Sequence, residues 1–496
     1  MNYILEIIAF VSGAVVMILE LDGSRIVAPY LGTSVVVWTG LIGVILGSLS
    51  LGYWWGGKIA DKSATFLKLG KILAGSAILV FSIAYLKNIL VLALLIQNHL
   101  IVATLIGTIL LFAPSTVLLG MVSPYVARLK MKTVETSGQT IGSLYAISTL
   151  GSIIGTFLGG FLLISLLGST TIILLLSATL FILAAATFWN INKTPNKAFV
   201  FCLILATLSL TIKPPDIFGG EIIKDVDTLY SRFWIEEGTD KATGRPTRYL
   251  TNSIYGLQSG MFLDNPTELL FPYTKVFDLA KILRPNLKKI LMIGAGAYSY
   301  PKHFIQYFPD AQMDLVEIDP KLTELAETYF AFKRNPRVNI INEDGRTFLN
   351  KNHISYDIIL NDTFLSYLNI PFQLTTVEAV KKMYGSLEPQ GVVMTNIVSA
   401  ITGPKAMFLE AEYATYKEVF PSVYLIQVTD TVEIQRQNIM LIAFKSVTEQ
   451  SKLATALKNL SGVKVNKIFT INVSSEQKTL SDEFAPVEKY ATEMLL

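Results

Sequence analysis

The chain has 496 residues, a mean hydropathy of +0.49 and 16% charged residues, against about 25% charged residues in soluble domains. A net charge of +3, without a basic stripe interleaved with aromatic residues, excludes a nucleic-acid-binding surface. The single cysteine, Cys202, excludes an intramolecular disulfide, and His99, His303 and His353 lack the spacing of metal ligands, so no metal is predicted.

The first 213 residues have the composition of a membrane domain. No charged residue occurs between Gly138 and Asn190, and seven segments approach the roughly 20 apolar residues that a bilayer span needs. The predicted spans are Ile4–Leu21, Val35–Trp55, Leu69–Leu86, Ile101–Met121, Ile141–Leu163, Thr170–Trp189 and Phe199–Ile212. The apolar but interrupted segment Lys87–His99 leaves an eighth span open. We therefore predict a polytopic α-helical domain at 1–213 with seven or eight helices in the lipid bilayer.

Lysine and arginine residues lie in three short loops, and such loops usually face the cytoplasm. The three groups are Lys58, Lys62, Lys68 and Lys71, then Arg128, Lys130 and Lys132, then Lys193 and Lys197. They agree with one another and place the N-terminus inside. Seven spans would leave the C-terminal half outside, whereas six or eight would return it to the inside.

Small residues recur at helical spacing in two of the predicted spans. The glycines are Gly47, Gly52, Gly56 and Gly57 in one and Gly151, Gly155, Gly159 and Gly160 in the other. Such patterns are typical of close helix packing, and a conduction path is the alternative. The stretch Gly56–Lys62 also resembles the loop after the second helix of major-facilitator transporters.

Beyond Pro214 the sequence changes to that of soluble domains. Residues 214–284 are predicted as a linker, a small antiparallel β unit and a helix. In the region 285–450 strands alternate with helices, which predicts a doubly wound parallel α/β (Rossmann-like) sheet. The region 451–496 is a C-terminal extension. The strands and helices predicted over 214–450 are strands Tyr230–Glu236, Arg248–Asn252 and Tyr255–Met261, helix Tyr273–Leu283, strand Lys289–Ile293, helix Tyr300–Tyr307, strand Met313–Glu317, helix Lys321–Tyr329, strand Val338–Asn342, strand Tyr356–Leu360, helix Val377–Leu387 and strand Val392–Asn396.

Glycines and acidic residues stand at the carboxyl ends of the predicted parallel strands, where such sheets bind ligands. The first strand is followed by Gly294 and Gly296, and Glu317 ends the second strand at the offset of an acid that holds ribose hydroxyls. Asp344 and Gly345 follow the third strand and Asp362 the fourth. This succession predicts a nucleoside pocket.

A nicotinamide dinucleotide is a poorer match to the pocket than a sulfonium nucleoside. The third glycine of the dinucleotide fingerprint is replaced by Ser299. A uniformly acidic rim also suits a cationic sulfonium better than a pyrophosphate, because opposite charges attract.

Four motifs in this order resemble the spermidine synthase family, within the class I methyltransferase-like fold, over roughly Asp227–Phe444. They are Leu291–Ala297, Leu315–Asp319, Glu343–Arg346 and Tyr356–Asp362. Further phrases, Gly296–Pro301, Asn335–Val338 and Ile370–Thr376, make the chain similar to the bacterial membrane-fused branch of that family. The resemblance implies S-adenosylmethionine or decarboxylated S-adenosylmethionine as a substrate.

The resemblance also implies roles for individual residues. The ribose would be held by Glu317 and the adenine amino group by Asp344, while Asp362 would be the catalytic carboxylate. Gln258 and Tyr273 match positions that face the sulfonium tail and the acceptor amine. A helix aromatic that packs on the sheet is the alternative for Tyr273.

Two positions depart from the family pattern. The glycine-rich loop of the family carries an aspartate for the free amine of decarboxylated S-adenosylmethionine, and Ala297 stands there. The second aspartate, which helps to hold the polyamine, is replaced by Leu365. An alanine does not repel the carboxylate of intact S-adenosylmethionine, so both nucleosides stay open and putrescine is not expected as the acceptor.

Three functions of different classes follow. The first is an enzyme that cleaves a C–S bond, by aminopropyl-type transfer or by an intramolecular lyase step that releases methylthioadenosine. The second is a methyltransferase, because the fold is shared and the placement of the nucleophile decides which carbon is attacked. The third is a transporter or membrane sensor with a regulatory nucleoside-binding domain. We expect the soluble domain in the cytoplasm, where the substrate is made, and homo-oligomerisation is left open.

Overall fold

The computed structural model describes residues 3–90, 100–131, 133–192, 196–211, 221–253, 256–363, 370–460, 462, 467–473 and 479–494. The chain divides into two compact units. The first comprises Met1–Phe218 with Val226–Arg232, and the second comprises Gly219–Asp225 with Phe233–Leu496.

The first unit is helical. Among its described residues, six helices are long and apolar enough to cross a membrane. They are α1 (Ile4–Leu31), α2 (Val35–Lys62), α3 (Phe66–Leu86), α4 (Leu100–Lys130), α5 (Ser137–Phe157, continued by a π-helical turn Leu158–Leu163 and a last turn Ile164–Leu166) and α6 (Ser169–Asn192).

The seventh predicted span forms a shorter helix, α7 (Lys197–Thr211). Its 15 residues extend over about 22 Å, against a hydrocarbon core of about 30 Å. The described residues thus contain six helices of spanning length where the sequence predicts seven spans. Most of the eighth candidate, residues 91–99, lies outside the described residues.

Helix α1 is longer than the apolar run that predicts it. The apolar run ends at Leu21, before Asp22 and Arg25, yet the helix continues to Leu31. A charged side chain interrupts an apolar pattern without breaking the backbone hydrogen bonds of a helix, so hydropathy alone places the end too early.

Glycines bring two helix pairs into backbone contact. A Cβ atom added at Gly151 of α5 would lie 1.9 Å from the Phe10 carbonyl oxygen of α1. One added at Gly52 of α2 would lie 2.2 Å from the Val117 carbonyl oxygen of α4. The predicted packing role thus applies to these positions, whereas at Gly47 an added Cβ would meet nothing within 4 Å.

Charged residues mark the two ends of this helical unit. At one end Lys130 pairs with Glu6, and Arg128 lies 3.9 Å from Asp61. At the other end, where α1 ends and α6 begins, Arg25 donates to the Leu229 carbonyl oxygen at 2.8 Å. Residues 226–232 of this unit therefore lie at the end opposite to the basic loops.

The second unit opens with a four-stranded sheet in the order β1-β2-β3-β4, in which β3 pairs antiparallel with both β2 and β4. Its strands are β1 (Glu221–Asp227), β2 (Arg232–Thr239), β3 (Pro246–Ser253) and β4 (Gly256–Phe262). Two short helices follow, α8 (Pro272–Val276) and α9 (Leu279–Leu283), where the sequence predicts one helix. Strand β1 was not predicted.

The remaining described strands form an eight-stranded sheet in the order β12-β10-β11-β9-β8-β5-β6-β7. Strands β9, β8, β5, β6 and β7 are parallel, as predicted, and β10 to β12 extend the sheet with antiparallel pairs. The strands are β5 (Lys289–Ile293), β6 (Gln312–Val316), β7 (Val338–Ile341), β8 (Tyr356–Asn361), β9 (Leu387–Ser399), β10 (Ser422–Gln427), β11 (Gln437–Phe444) and β12 (Lys467–Phe469).

Helices cover both faces of this sheet, so its central strands are apolar on both faces, as parallel strands usually are. In β5, Ile290 and Met292 join one core cluster while Leu291 and Ile293 join the other. The helices are α10 (Ser299–Tyr307), α11 (Pro320–Tyr329), α12 (Gly345–Lys351), α13 (Val377–Gly385), α14 (Met407–Val419), α15 (Gln450–Lys458) and α16 (Val487–Glu493). This is a Rossmann-like α/β domain.

Residues beyond 450 complete the core of this domain. Leu453 of α15 is buried in one cluster, and Leu480 and Val487 are buried in the other. Strand β12 pairs with β10 at the edge of the sheet. The C-terminal extension is therefore packed into the same fold.

Candidate active site

Three loops meet at the carboxyl end of β5. The Gly294 amide donates to the Val316 carbonyl oxygen of β6, and the Asp362 amide donates to the Ile293 carbonyl oxygen, each at 2.9 Å. Gly345 is buried against the same strand end, where an added Cβ would lie 2.7 Å from Ile293 Cγ2. The strand ends that carry the predicted site residues are thus neighbours in the fold.

The glycine loop after β5 is held in a conformation that most residues avoid. Gly294 has a φ of 86° and Gly296 a φ of 52°. A Cβ at Gly294 would lie 2.3 Å from the Asp362 carbonyl oxygen, so the loop needs the absence of a side chain there. Ala297, two residues before the start of α10, is 1% exposed.

The Glu317 carboxylate lies in this loop region and is buried. Its Oε2 accepts the Ala295 amide and its Oε1 accepts the Asp319 amide, both at 2.9 Å. Burial raises the pKa of Glu317 to about 7, although the two backbone donors oppose the rise. A carboxylate has about four lone-pair positions, so two backbone donors leave room for two hydroxyl groups of a ligand.

Asp344 caps α12: its Oδ1 accepts the Thr347 amide at 2.9 Å. This contact gives the side chain a structural role at the helix N-terminus. Its second carboxylate oxygen leaves acceptor capacity for an amino group of a ligand.

The Asp362 carboxyl group is half-buried and has a donor on each oxygen. Tyr273 Oη donates to Oδ2 at 3.1 Å, and Asn396 Nδ2 donates to Oδ1 at 3.0 Å. The structure therefore brings the two predicted catalytic residues into hydrogen-bond contact, although they are 89 positions apart.

Burial raises the pKa of Asp362 to about 6, although the hydrogen bonds from Asn396 and Tyr273 oppose the rise. Burial also raises the pKa of Tyr273 well above its usual value, and the neighbouring Asp362 carboxylate raises it further. At neutral pH the pair consists of an ionised carboxylate and a neutral phenol. Asp362 can therefore accept a proton, whereas Tyr273 acts as a donor.

Strand β4 lies against the glycine loop. Ser259 Oγ and Ser299 Oγ are 3.2 Å apart, and an added Cβ at Gly296 would lie 3.3 Å from Ser259 Cβ. Gln258 precedes Ser259, and its Oε1 is buried without a hydrogen-bond partner among the described residues. This amide is available to a ligand beside the loop.

Asn396 was not predicted as a site residue. It is buried at 3% exposure, and a second asparagine, Asn438, donates to its Oδ1 at 3.0 Å. A signal for Asn396 exists in the sequence, because it ends a predicted strand at the same rim as Asp362. Leu365, the second departure from the family pattern, lies outside the described residues. Over the described ranges, no three His, Cys, Asp or Glu residues are grouped as metal ligands.

Residues 271–451 match the family model described as the spermine/spermidine synthase domain. A polyamine aminopropyltransferase from Vibrio vulnificus (strain CMCP6) is 28% identical over 226 residues, which cover 45% of this chain and 73% of that protein. The eEF1A lysine and N-terminal methyltransferase of Homo sapiens is 28% identical over 177 residues, covering 34% of this chain and 24% of that protein. The crystal structure of a probable spermidine synthase from Corynebacterium glutamicum ATCC 13032 has 21% sequence identity and a TM-score of 0.44, covering 55% of this chain and 98% of that one.

Proposed function

We propose that the protein, whose residues 271–451 match the model of the spermine/spermidine synthase domain, is a membrane-integral enzyme that cleaves a C–S bond of a sulfonium nucleoside. The substrate is S-adenosylmethionine or its decarboxylated form. The reaction is an aminopropyl-type transfer or an intramolecular lyase step, and each releases methylthioadenosine. The contact of Asp362 with Tyr273 at the rim of the sheet is the observation that carries this proposal.

In the proposed site, some residues bind the nucleoside and Asp362 acts at the reacting centre. Glu317 holds the ribose hydroxyls, Asp344 accepts the adenine amino group, and the backbone at Gly294 and Gly296 lets the nucleoside approach closely. Asp362 attracts the sulfonium cation to the rim. All of these groups lie around the end of β5, which supports these roles.

In the transfer reaction, the amine nitrogen of the acceptor attacks the carbon next to sulfur. The electron pair of the C–S bond passes to sulfur, which becomes the neutral thioether of methylthioadenosine. The proton that the amine loses goes to Asp362, whose raised pKa of about 6 makes it a stronger base than an ordinary aspartate. In the lyase reaction a group of the substrate itself is the nucleophile, and no acceptor is consumed.

Ala297 decides which nucleoside fits. It matches the position where the family carries the aspartate that binds the free amine of the decarboxylated ligand. The side chain is 1% exposed, so a charge placed there meets little water. A neutral methyl group accommodates the carboxylate of intact S-adenosylmethionine.

Ala297→Asp is expected to shift the ligand preference toward decarboxylated S-adenosylmethionine. The gain is a carboxylate–ammonium hydrogen bond, worth on the order of 1.5 to 3 kcal/mol. Calorimetric titration of both nucleosides into native and variant protein measures the shift. Ala297→Asn, which has the same size and no charge, is the matched control and should leave the preference unchanged. A strong preference of the native protein for the decarboxylated ligand contradicts this role.

Product identification tests the proposed reaction. Purified protein is incubated with S-adenosylmethionine or its decarboxylated form, with and without amines, and the nucleoside product is identified by mass. Methylthioadenosine from S-adenosylmethionine alone identifies a lyase, and methylthioadenosine only from the decarboxylated form with an amine identifies aminopropyl transfer. S-adenosylhomocysteine identifies a methyltransferase, the second candidate, which the similarity to a human methyltransferase favours. Absence of turnover refutes the enzyme and leaves a sensor or transporter.

The soluble domain is proposed to face the cytoplasm, because its substrate is made there.

A reporter that is active only in the cytoplasm is expected to be active when fused after Leu496. A second reporter, inserted in the loop at Thr133–Thr136, tests the side of the basic loops, which their lysine and arginine residues place in the cytoplasm. Activity of an export-dependent reporter after Leu496 would contradict the cytoplasmic placement.

A further inference from the structure

The Asp362 carboxylate depends on an asparagine whose own orientation can be reversed. Asn396 Nδ2 donates to Asp362 Oδ1. A carboxamide has a donor end and an acceptor end of nearly equal size, so a turn of the group would present its oxygen to Asp362 instead. An amide oxygen that faced the carboxylate would repel it and disfavour its ionised form. The orientation of Asn396 therefore affects how readily Asp362 loses its proton.

Asn438 holds the acceptor end of that carboxamide. Its Nδ2 donates to Asn396 Oδ1 at 3.0 Å. In the antiparallel pairing of β9 and β11, Asn438 lies opposite Val398, and Asn396 lies two residues before Val398 on the same face. The two asparagines are therefore diagonal neighbours, within reach across the strands.

The chain of contacts crosses three strands of the sheet. Asn361 of β8 is level with Thr395 of β9, which sets Asp362 beside Asn396. Asn438 of β11 then lies on the far side of Asn396 from Asp362. In the observed arrangement the Asn438 N–H points at the Asn396 oxygen, and this contact favours the orientation in which Asn396 turns its NH₂ group to Asp362.

We propose that Asn438 is a positioning residue that orients the Asn396 carboxamide, so that a donor and not an oxygen faces the Asp362 carboxylate. Its importance for turnover rests on the proposed function, in which Asp362 is the reacting carboxylate. The hydrogen-bond arrangement itself does not depend on that function. Both parts can therefore be tested separately.

The readout is the ionisation of Asp362 in the intact, ligand-free protein. The C=O stretch of its protonated carboxyl group is followed by infrared spectroscopy during a pH titration, and it is assigned by subtracting the spectrum of the same protein with Asp362→Asn. Asn396→Leu is expected to raise the midpoint by about one pH unit, the size expected for one lost hydrogen bond to a charge. Asn438→Leu is expected to raise it by at least half as much.

Three further variants make the test specific. Asn438→Gln keeps the donor and is expected to titrate near the native midpoint. In a protein that already carries Asn396→Leu, Asn438→Leu is expected to have no further effect, because it acts through Asn396. Asn339→Leu is the matched control, since Asn339 Nδ2 donates to a different carboxylate of the sheet, Asp314, at 2.9 Å.

An unchanged midpoint in Asn438→Leu overturns the proposal, as does an equal shift in the presence and absence of Asn396. If Asn438→Leu does not fold, Asn438→Ala removes the same donor with a smaller side chain and is judged by the same midpoints. Turnover is measured in parallel, and the acid limb of kcat/KM should move with the infrared midpoint. A native protein without turnover refutes the proposed function, while the infrared midpoints still decide the role of Asn438.

Discussion

Asp362→Asn is expected to lower turnover by about 10² to 10⁴, the range for loss of a general base. The exchange keeps the size of the side chain and removes its charge and basicity. Nucleoside affinity should change much less, because Glu317 and Asp344 hold the ribose and adenine in the proposed site. Steady-state rates and calorimetric affinities of the two proteins measure both effects.

The pH dependence gives an independent check on the same residue. Because burial raises the pKa of Asp362 to about 6, the native carboxyl group is ionised above this value and protonated below it. Native activity should therefore rise with pH through about 6, and the residual activity of Asp362→Asn should lack this limb. The exposed Asp310, changed to Asn, is the matched control. Lost binding with native turnover at saturation would make Asp362 a ligand anchor and contradict a catalytic role.

Gly294→Ala is expected to destabilise the soluble domain and abolish tight nucleoside binding. The residue has a φ of 86°, and its added Cβ would lie 2.3 Å from the Asp362 carbonyl oxygen. Left-handed backbone strain costs roughly 1 to 2 kcal/mol and overpacking about 1 to 3 kcal/mol. The free energy of unfolding should therefore fall by about 2 to 5 kcal/mol, which denaturant titration of the intact protein measures.

Two other glycines of the same domain serve as controls that distinguish backbone strain from the collision of an added Cβ. Gly244 has a φ of 72° with nothing within 4 Å of an added Cβ, so Gly244→Ala should show the strain alone. Gly385 has neither the positive φ nor a close neighbour, and Gly385→Ala should be near native. Equal losses of stability in Gly294→Ala and Gly244→Ala would show that the close approach of the Asp362 backbone to Gly294 does not contribute to the cost of the exchange.

The parallel strands were predictable because each is a short, continuous apolar run that ends in glycine or a polar residue. The carboxyl ends of parallel strands meet at one edge, so Glu317 and Asp362 could be placed at one rim from their positions in the sequence. In the fold, β5 pairs with β8 so that Ile293 is level with Asn361. This register places the next residues, Gly294 and Asp362, beside each other.

The residues that support Asp362 could not be found in the same way. Asn396 ends a predicted strand, but a single polar residue at a strand end is usually solvated. Asn438 lies in β11, which was not predicted, and it reaches Asn396 only through an antiparallel pairing between distant segments. Local sequence patterns carry no information about such diagonal pairs. The double role of Asp344, which caps α12 as well as lining the rim, also needs the backbone geometry.

The glycine contacts in the helical unit restrict how its helices could move. Where the backbone of α5 touches that of α1 at Phe10, and the backbone of α2 touches that of α4 at Val117, neither helix of a pair can rotate or slide without collision. We therefore expect each pair to move as a unit. If this unit opens and closes, the α1–α5 pair should separate from the α2–α4 pair, and cross-links placed within a pair should leave the motion unimpaired.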